Sequence, residues 1–405
     1  LLSNLAEVYL RADRTKDALA CGERAVELQP DSAAAHMNVG NALRRAGRLD
    51  EAERALSTAL ALEPASARGK VNLGFARLQR GDYASGLELF ESRFEIPAFR
   101  ERGDTSKILS ALEGIPCWRG EPLHGKRLLL WTEQGLGDSV MMLRFLPELR
   151  RRGAARVLMC CEAALARLIG NSHAVDEIGS SLDAVTAWRG AIDLHCPLMS
   201  LPFALKLMID SIPATVPYVE VPGDMQQRWV ERLAALASPR IGVVWASGNK
   251  SDAGSRRSIP FDAFAPLFAL RGVRFVSLQK ERDAAALQQA VPALHDFMDE
   301  CTDLLDTAAL MTQLDLVISV DTVVPHLAGA LGKPVWLLKR THSEWRWMNG
   351  RTDTPWYPAM RIFGPGNFDS QALIAEVCAA LQAQFNLPSA SGWGRLGRWL
   401  RGRLR

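Results

Sequence analysis

The sequence predicts α-helical repeats followed by two α/β domains of the Rossmann kind, each built on a parallel sheet. Three observations carry this reading. Similar residues recur every 34 positions across residues 1–96, and from residue 127 short apolar runs alternate with helical stretches. A proline-rich break at 213–222 then divides the second series in two. A chain of 405 residues, 48 % apolar and 23 % charged, has the length and composition of several packed domains, not of a disordered chain.

The repeats come first. Asn4, Asn38 and Asn72 are spaced by 34 and are followed by Leu5-Ala6, Val39-Gly40 and Leu73-Gly74. Small residues recur at Ala18, Ala52 and Gly86, then at Ala25 and Ala59. Small side chains let paired helices approach closely. Pro30 and Pro64 close the first two units, because proline cannot donate the next helical hydrogen bond. This period with these small residues is the tetratricopeptide signature. The third unit is worn, with Arg77 where Tyr9 and Leu43 stood, as expected of a terminal repeat that meets another domain. The chain opens at Leu1 inside a helical pattern, which suggests a preceding segment. Residues 97–126, with Pro97, Gly103, Gly114, Pro116 and Gly120, read as an irregular junction.

Beyond it the expected strands are Arg127–Trp131, Arg156–Cys160 and Ile192–His195, then Ile241–Trp245, Arg274–Gln279, Leu316–Val320 and Val335–Leu338. Apolar runs separated by helices indicate parallel sheets buried on both faces. The first α/β domain is assigned to 127–222. The second occupies 223–387 and opens with a helix at Asp224–Ala237.

Several function classes drop out. The seven cysteines form no C-x-x-C pair and are odd in number, which argues against a disulfide framework or a cysteine zinc cluster and for a reducing compartment. The apolar stretch Leu316–Gly332 is interrupted by Asp321 and Pro325 and falls short of the ~20 residues a bilayer span needs. A cytoplasmic protein is expected. Net charge is +3, yet residues 388–405 hold five arginines and no acid, so the body is near neutral and offers no large nucleic-acid footprint. Trp393, Leu396, Leu400 and Leu404 in that tail fall in one apolar sector of a helical wheel, with Trp399 at its margin. A basic amphipathic helix there would make weak peripheral contact with an anionic inner-membrane surface; a solubilising tail is the alternative. No H-E-x-x-H, G-x-S-x-G or Walker A sequence occurs, which removes zinc proteases, serine hydrolases and P-loop enzymes.

Open α/β sheets bind ligands beyond the carboxyl ends of their strands, and four loops stand there. Gln134, Gly135 and Gly137 lead to Asp138 at a helix start, where the aspartate is either an N-cap or a functional carboxylate. Asp321, Thr322, Val323 and His326 lead from an apolar strand into a helix whose first turn contains Pro325. A helix start of this kind suits an anion. The loop 246–260 carries Lys250, Arg256 and Arg257, and Gln279-Lys280 follows another strand. Each can be solvated surface, but cationic or N–H-donating loops converging on one sheet edge point to a diphosphate. His195, at a strand end beside Cys196, is a candidate base or sugar hydrogen-bond donor, or a packed structural histidine.

Gly137-Asp138 with Leu146-Pro147, and Val320-Asp321-Thr322 with His326-Leu327-Ala328-Gly329-Ala330-Leu331-Gly332-Lys333-Pro334, resemble the heptosyltransferase-like glycosyltransferases of family nine. The strings Glu133–Asp138, Cys196–Pro202, Arg256–Ser258, Ser277–Lys280 and Trp345-Arg346-Trp347 resemble the bacterial tetratricopeptide proteins that carry such a domain. The resemblance implies a GT-B fold, with acceptor on the first α/β domain and a nucleotide-sugar on the second. It implies no metal or other cofactor, Asp138 as general base of an inverting transfer, and Asp321, Thr322 and His326 around the donor. Lys280, Arg257 and the Thr322 helix start would then hold the diphosphate. Val323 stands where the family usually has glycine, which narrows the backbone's approach to phosphate, and Pro325 is also unusual. The expected function is transfer of a sugar to a protein or glycan, with the repeats docking a protein. The alternatives are a lipopolysaccharide-type glycan transferase and a non-catalytic scaffold.

Overall fold

The computed structural model describes residues 1–172, 174–248, 252–280, 291–339, 344–364 and 369–388. Lys250 and the tail beyond Pro388, with its proposed amphipathic helix, lie outside the described residues.

Six helices form three hairpins: α1 Leu2–Arg11 with α2 Thr15–Leu28, α3 Ala33–Arg45 with α4 Leu49–Leu62, and α5 Ala67–Arg80 with α6 Tyr83–Phe90. The small residues sit at the crossings, as the repeat period requires. Ala18 and Ala52 are fully buried. A Cβ on Gly74 would lie 2.9 Å from the carbonyl oxygen of Gly86, and one on Gly86 would lie 3.0 Å from that of Gly74. The hydroxyls of Ser32 and Ser66 cap α3 and α5 by accepting from Ala35 and Gly69 N–H. α2 and α4 end two residues before Pro30 and Pro64. In the worn third unit, α6 is short and runs into a 3₁₀ turn at Glu91–Glu95, and Arg77 pairs with Glu53 of the second unit at 3.0 Å.

The junction is more ordered than its prolines and glycines suggest. It holds short helices at Pro97–Arg100 and Thr105–Ala111, the second placing Ile108 and Leu112 over one face of the first sheet. That sheet comprises β1 Arg127–Trp131, β2 Arg156–Cys160, β3 Glu177–Gly179 and β4 Leu194–Pro197, all parallel, in the order β3-β2-β1-β4. Side chains alternate between its faces: Leu128, Leu130, Val157 and Met159 enter the main core, while Leu129, Trp131, Leu158 and Cys160 meet Ile108, Val185 and Ile192.

The second sheet is also fully parallel. It comprises β5 Arg240–Val244, β6 Arg274–Ser277, β7 Leu294–Asp296, β8 Leu316–Val320, β9 Val335–Leu338 and β10 Met360–Phe363, in the order β10-β9-β8-β5-β6-β7. The expected strands appear with small shifts, and β3, β7 and β10 are additional. The single helix expected after Asp138 is divided instead into Leu136–Met142, a 3₁₀ turn and Leu146–Arg151, since Pro147 cannot lie in the interior of one long helix. The helix expected at Asp224–Ala237 spans Gly223–Arg232. Helical repeats thus lead into an α/β body with two parallel sheets. Among the described residues no helix is long and apolar enough to cross a membrane.

Candidate active site

Each sheet has a point where the strand order reverses, between β1 and β4 in the first and between β5 and β8 in the second. Ligands of open α/β sheets bind beyond such points. The helix Leu136–Met142 starts after β1, the helix Val323–Ala330 starts after β8, and the two pack against each other. Gly137 makes this possible. A Cβ there would lie 2.8 Å from His326 Cδ2 and 3.4 Å from the Thr322 carbonyl oxygen. Gly135, at φ −74°, is in a conformation any residue can adopt. Gln134, half-buried, completes this turn.

Asp138 lies at this meeting point. The N-cap position falls to Gly135, not to Asp138 as expected; Asp138 is the third helical residue, and its carboxylate reaches back to accept the Gly135 N–H at 3.2 Å. The same carboxylate forms an ion pair with the guanidinium of Arg346, which follows β9 of the second sheet in the chain. Arg346 also donates to Glu344 at 3.1 Å and lies over the ring of Trp345. It is buried, and burial draws its pKa down to about 10.

Asp321 follows β8. Burial, reinforced by the charge of Glu344, raises its carboxyl to about 7, against the opposing pull of Arg257, Trp347 and Lys339. Lys339, at the end of β9, donates to the Met348 carbonyl oxygen, and burial lowers its ammonium to about 8. Thr322 caps the next helix, its hydroxyl accepting from Val324 N–H at 3.2 Å, with Val323 as the first helical residue and Pro325 inside the first turn. Asp321, Thr322, Val323, Arg257, Lys339 and Arg346 therefore form one corner, with cations and a helix start facing two carboxylates.

His326 is a packed neutral imidazole. It stacks on Trp347 at 5.0 Å, its Nδ1 is 2.9 Å from Tyr357 Oη, and burial with the charges of Arg144 and Arg257 holds its pKa down to about 3. Tyr218 donates to Tyr357 at 3.4 Å, and Arg144 donates to Tyr218 Oη at 3.1 Å, to the Trp356 carbonyl at 2.6 Å and to that of Pro213 at 3.1 Å. This chain of contacts ties the first sheet's helices, the proline-rich linker and the second half together.

Three expected residues stand apart from the corner. His195 is on the Trp131 face of the first sheet, opposite the face that carries Val140 and Met141 of the Asp138 helix. Its Nδ1 accepts the Trp131 indole N–H at 3.3 Å, and burial lowers its pKa to about 4, the behaviour of a structural histidine. The Gln279 amide accepts from Trp245 and Ala246 N–H at 3.2 and 2.9 Å and donates to the Ala246 and Lys280 carbonyls at 3.0 Å each. It pins the loop after β5 and has no donor left for a ligand. Lys280 donates to the carbonyls of Met298 and Cys301, on the side of β7.

Sequence reasoning gave no role to Lys339, Glu344 or Arg346, although Arg346 stands in the string Trp345-Arg346-Trp347 that carries part of the resemblance. A signal existed for Lys339, the first residue after an apolar strand, whereas Glu344 and Arg346 lie in a turn with no periodic pattern. Arg93, fully buried at the end of the repeats, also escaped notice. It donates to Glu133 at 2.9 Å and to Ser200 at 2.7 Å, anchoring the residue just before Gln134. A second anchor joins Trp356 Nε1 to Tyr83 Oη of α6 at 3.0 Å.

Tetratricopeptide-repeat family models match residues 1–65 and 40–93, and the model for glycosyltransferase family 9 (heptosyltransferase) matches residues 260–379. The chain is 30 % identical over 309 residues to Protein FlbA of Caulobacter vibrioides, an alignment covering 71 % of this chain and 50 % of that protein. The chain thus spans about half the length of this curated relative. Among solved structures, the E. coli ADP-heptose LPS heptosyltransferase II aligns at 16 % identity and a TM-score of 0.48, over 64 % of this chain and 98 % of its own. The family 9 glycosyl transferase of Veillonella parvula aligns at 13 % identity and a TM-score of 0.44, over 69 % and 94 %. This chain carries tetratricopeptide repeats at its N-terminus and, after them, a heptosyltransferase-like domain of glycosyltransferase family 9.

Proposed function

We propose that this chain is a glycosyltransferase that moves a sugar from a nucleotide-sugar to an acceptor bound in the cleft between its two α/β halves. The observation that supports it best is the meeting of the Asp138 carboxylate with Arg346 beside the Thr322-capped helix. In this reading Asp138 takes the proton of an acceptor hydroxyl as its oxygen attacks the anomeric carbon. The bond to the nucleoside diphosphate breaks on the opposite face, so the product is inverted. Charge on the departing diphosphate is met by the helix start at Thr322 and by Arg257, Lys339 and Arg346, preorganised groups of the kind that stabilise developing anions. The reading calls for no metal or other cofactor. Arg346 holds the Asp138 carboxylate in place, and Asp321 shapes the donor corner. The acceptor is a protein or a glycan, and the repeats dock a protein.

Thermal shift against a panel of nucleoside diphosphates tests the donor site. A ligand present at ~100 times its dissociation constant adds ~2.7 kcal/mol of stability. Absence of a shift with every common nucleoside diphosphate overturns the assignment. A mass increase on a co-expressed protein partner then separates a protein acceptor from a glycan.

A further inference from the structure

The last repeat unit departs from the first two at the residues that reach the α/β body. Counting by 34, Arg93 takes the register position of Ala25 and Ala59, and Tyr83 that of Thr15 and Leu49. Ala25 and Ala59 are buried on helices that pack against the following one, where only a small side chain fits. After the third unit comes the junction instead of another hairpin, and the guanidinium of Arg93 fills that place, 1 % exposed. It donates to Glu91 at 2.5 Å as well as to Glu133 and Ser200, and lies 4.3 and 4.2 Å from the ring centres of Phe90 and Phe94. Apolar side chains of similar volume would join the two elements as firmly as a buried ion pair does. What the charged hydrogen bonds add is direction, since they fix where Glu133 stands. Gln134 and Gly135 follow it, and the Gly135 N–H is the one that Asp138 accepts. Tyr83 supports the other side of the cleft. It is fully buried, where Thr15 and Leu49 are half-buried. Besides accepting the Trp356 indole N–H, it stands edge-on to Trp345 at 5.9 Å, and Trp345 stands edge-on to Trp356 at 5.5 Å. The Arg346 guanidinium lies 5.1 Å from the centre of that Trp345 ring.

We propose that Tyr83 and Arg93 are positioning residues, which from one short segment of the last repeat hold the two partners of the Asp138–Arg346 ion pair in register. Arg93 acts through Glu133 and the turn after it, and Tyr83 acts through Trp345 and Trp356. The use of that pair in transfer rests on the reading of Asp138 given above, whereas the positioning is a matter of geometry. Asp138 and Arg346 follow strands of different sheets, so their separation depends on how the two halves sit. An element bound to the supports of both sets that separation, and a misplacement of ~1 Å at reacting groups can cost ~10²-fold in rate. A repeat module that only docked a partner would need neither contact. The third unit is worn as a repeat because it belongs to the site's scaffold.

Hydrogen exchange of individual amides in the full chain reads the positioning without any need for turnover. The reporters are the Gly135 N–H, held by Asp138, and the Trp347 N–H, which donates to the Glu344 carbonyl at 3.1 Å. Leu129 and Ile318, in central strands of the two sheets, report the global fold. Tyr83→Phe removes only a hydroxyl, and Arg93→Lys keeps the charge but not the fork that reaches three side chains. Tyr83→Phe is expected to speed exchange at Trp347, and Arg93→Lys at Gly135, each by at least ~10-fold with Leu129 and Ile318 unchanged. Where Arg93→Lys does not fold, Ser200→Ala removes one acceptor of Arg93 and should speed Gly135 by at least ~3-fold. Unchanged exchange at the named reporter overturns the proposal, and so does a rise shared equally by Leu129 and Ile318, the pattern of general loosening. Turnover then ties the pair to the reaction. Both variants should lower kcat by at least ~10-fold while the nucleoside-diphosphate thermal shift is kept. In the Asp138→Asn background the same substitutions should lower it no further, because residues acting through one group are not additive. A full further loss in that background overturns the route through Asp138. No transfer by the wild type overturns the transferase reading instead, and exchange at Gly135 and Trp347 still decides the positioning.

Discussion

Asp138 and Asp321 occupy corresponding places in the two α/β halves. Each follows a strand bordering its sheet's point of reversal and lies at the start of a helix, and those two helices pack against each other. Their surroundings differ. Asp138 faces the Arg346 guanidinium and the N–H of its own turn. Around Asp321, burial and the charge of Glu344 both add to the cost of ionisation, so its proton is held up to about 7. One fold element used twice has yielded a paired carboxylate and a reluctant one. Environments that separate two carboxyl groups in this way assign them different work. The first suits proton abstraction, the second the shaping of a donor pocket.

The largest expected effect follows from replacing Asp138. Asp138→Asn keeps a side-chain oxygen that can accept the Gly135 N–H, so the fold and the nucleoside-diphosphate thermal shift should survive. Transfer should fall by ~10²–10⁴-fold, the usual contribution of acid–base catalysis. Turnover measured with the donor that gives the largest thermal shift checks this; wild-type turnover would leave Asp138 as a cap alone. Arg346 comes next. Arg346→Ala strands the carboxylates of Asp138 and Glu344 and should cost about 1.5–3 kcal/mol of stability, the range for hydrogen bonds to charged groups, together with much of the activity. Arg346→Lys keeps the charge but not the two-armed fork, so it should fall between. If calorimetry and turnover place Arg346→Ala with the wild type, the ion pair has no part in setting the two aspartates apart.

Legibility in the sequence followed burial. β1, β2, β8 and β9 coincide with the apolar runs that predict them, because each has a sheet neighbour on both sides and an unbroken hydrophobic stretch. The strands that escaped, β3, β7 and β10, are all at sheet edges, as is β4, which is displaced by two residues from its expected start. Edge strands are short and carry residues such as Glu177, Asp296 and Arg361 that break the run. The site divides similarly. Asp138, Thr322 and His326 were visible because they stand at fixed places after central strands. Arg346 was visible only as part of a resembling string, and its role was not, since that depends on a carboxylate some two hundred residues earlier in the chain. His195 and Gln279 had the right sequence position but the wrong surroundings: one side chain packs on the far face of the sheet, and the other spends its hydrogen bonds on the backbone.

The contact that brings the two aspartates together can be probed at Gly137. Gly137→Ala places a methyl group within 2.8 Å of His326 Cδ2, on a ring fixed by Trp347 and Tyr357, so the two helices must part. Overpacking of this kind costs about 1–3 kcal/mol, and a lower thermal midpoint is expected. Gly135→Ala is the control. Its backbone is ordinary and its new methyl meets only the Asp138 carboxylate at 3.3 Å, so its midpoint should shift less. Equal losses in the two variants would show that the helix contact is looser than its geometry implies.

The smallest effect concerns pH and reads Asp321 directly. Its folded pKa, about 7, is raised from the ordinary carboxyl value of 3.8. Between those values the native state keeps a proton that the unfolded chain has lost, so this group's contribution to stability falls as pH rises and levels off above about 7. His326 works in the opposite sense. Its folded pKa of about 3 is depressed from 6.5, so its contribution is full above 6.5 and is lost as pH falls toward 3. Both slopes overlap between pH 4 and 6.5, and a single profile of the wild type would blur them. Comparison with Asp321→Asn removes that ambiguity, because His326 is common to both proteins and cancels in the difference. The asparagine is close in shape to the protonated carboxyl but cannot ionise. Relative to the wild type, its thermal midpoint should therefore be similar near pH 4.5 and higher near pH 8, where the native aspartate has been forced to ionise. Parallel profiles across that interval would mean that Asp321 is as easily charged in the folded chain as in the unfolded one, and that the two aspartates differ in position only.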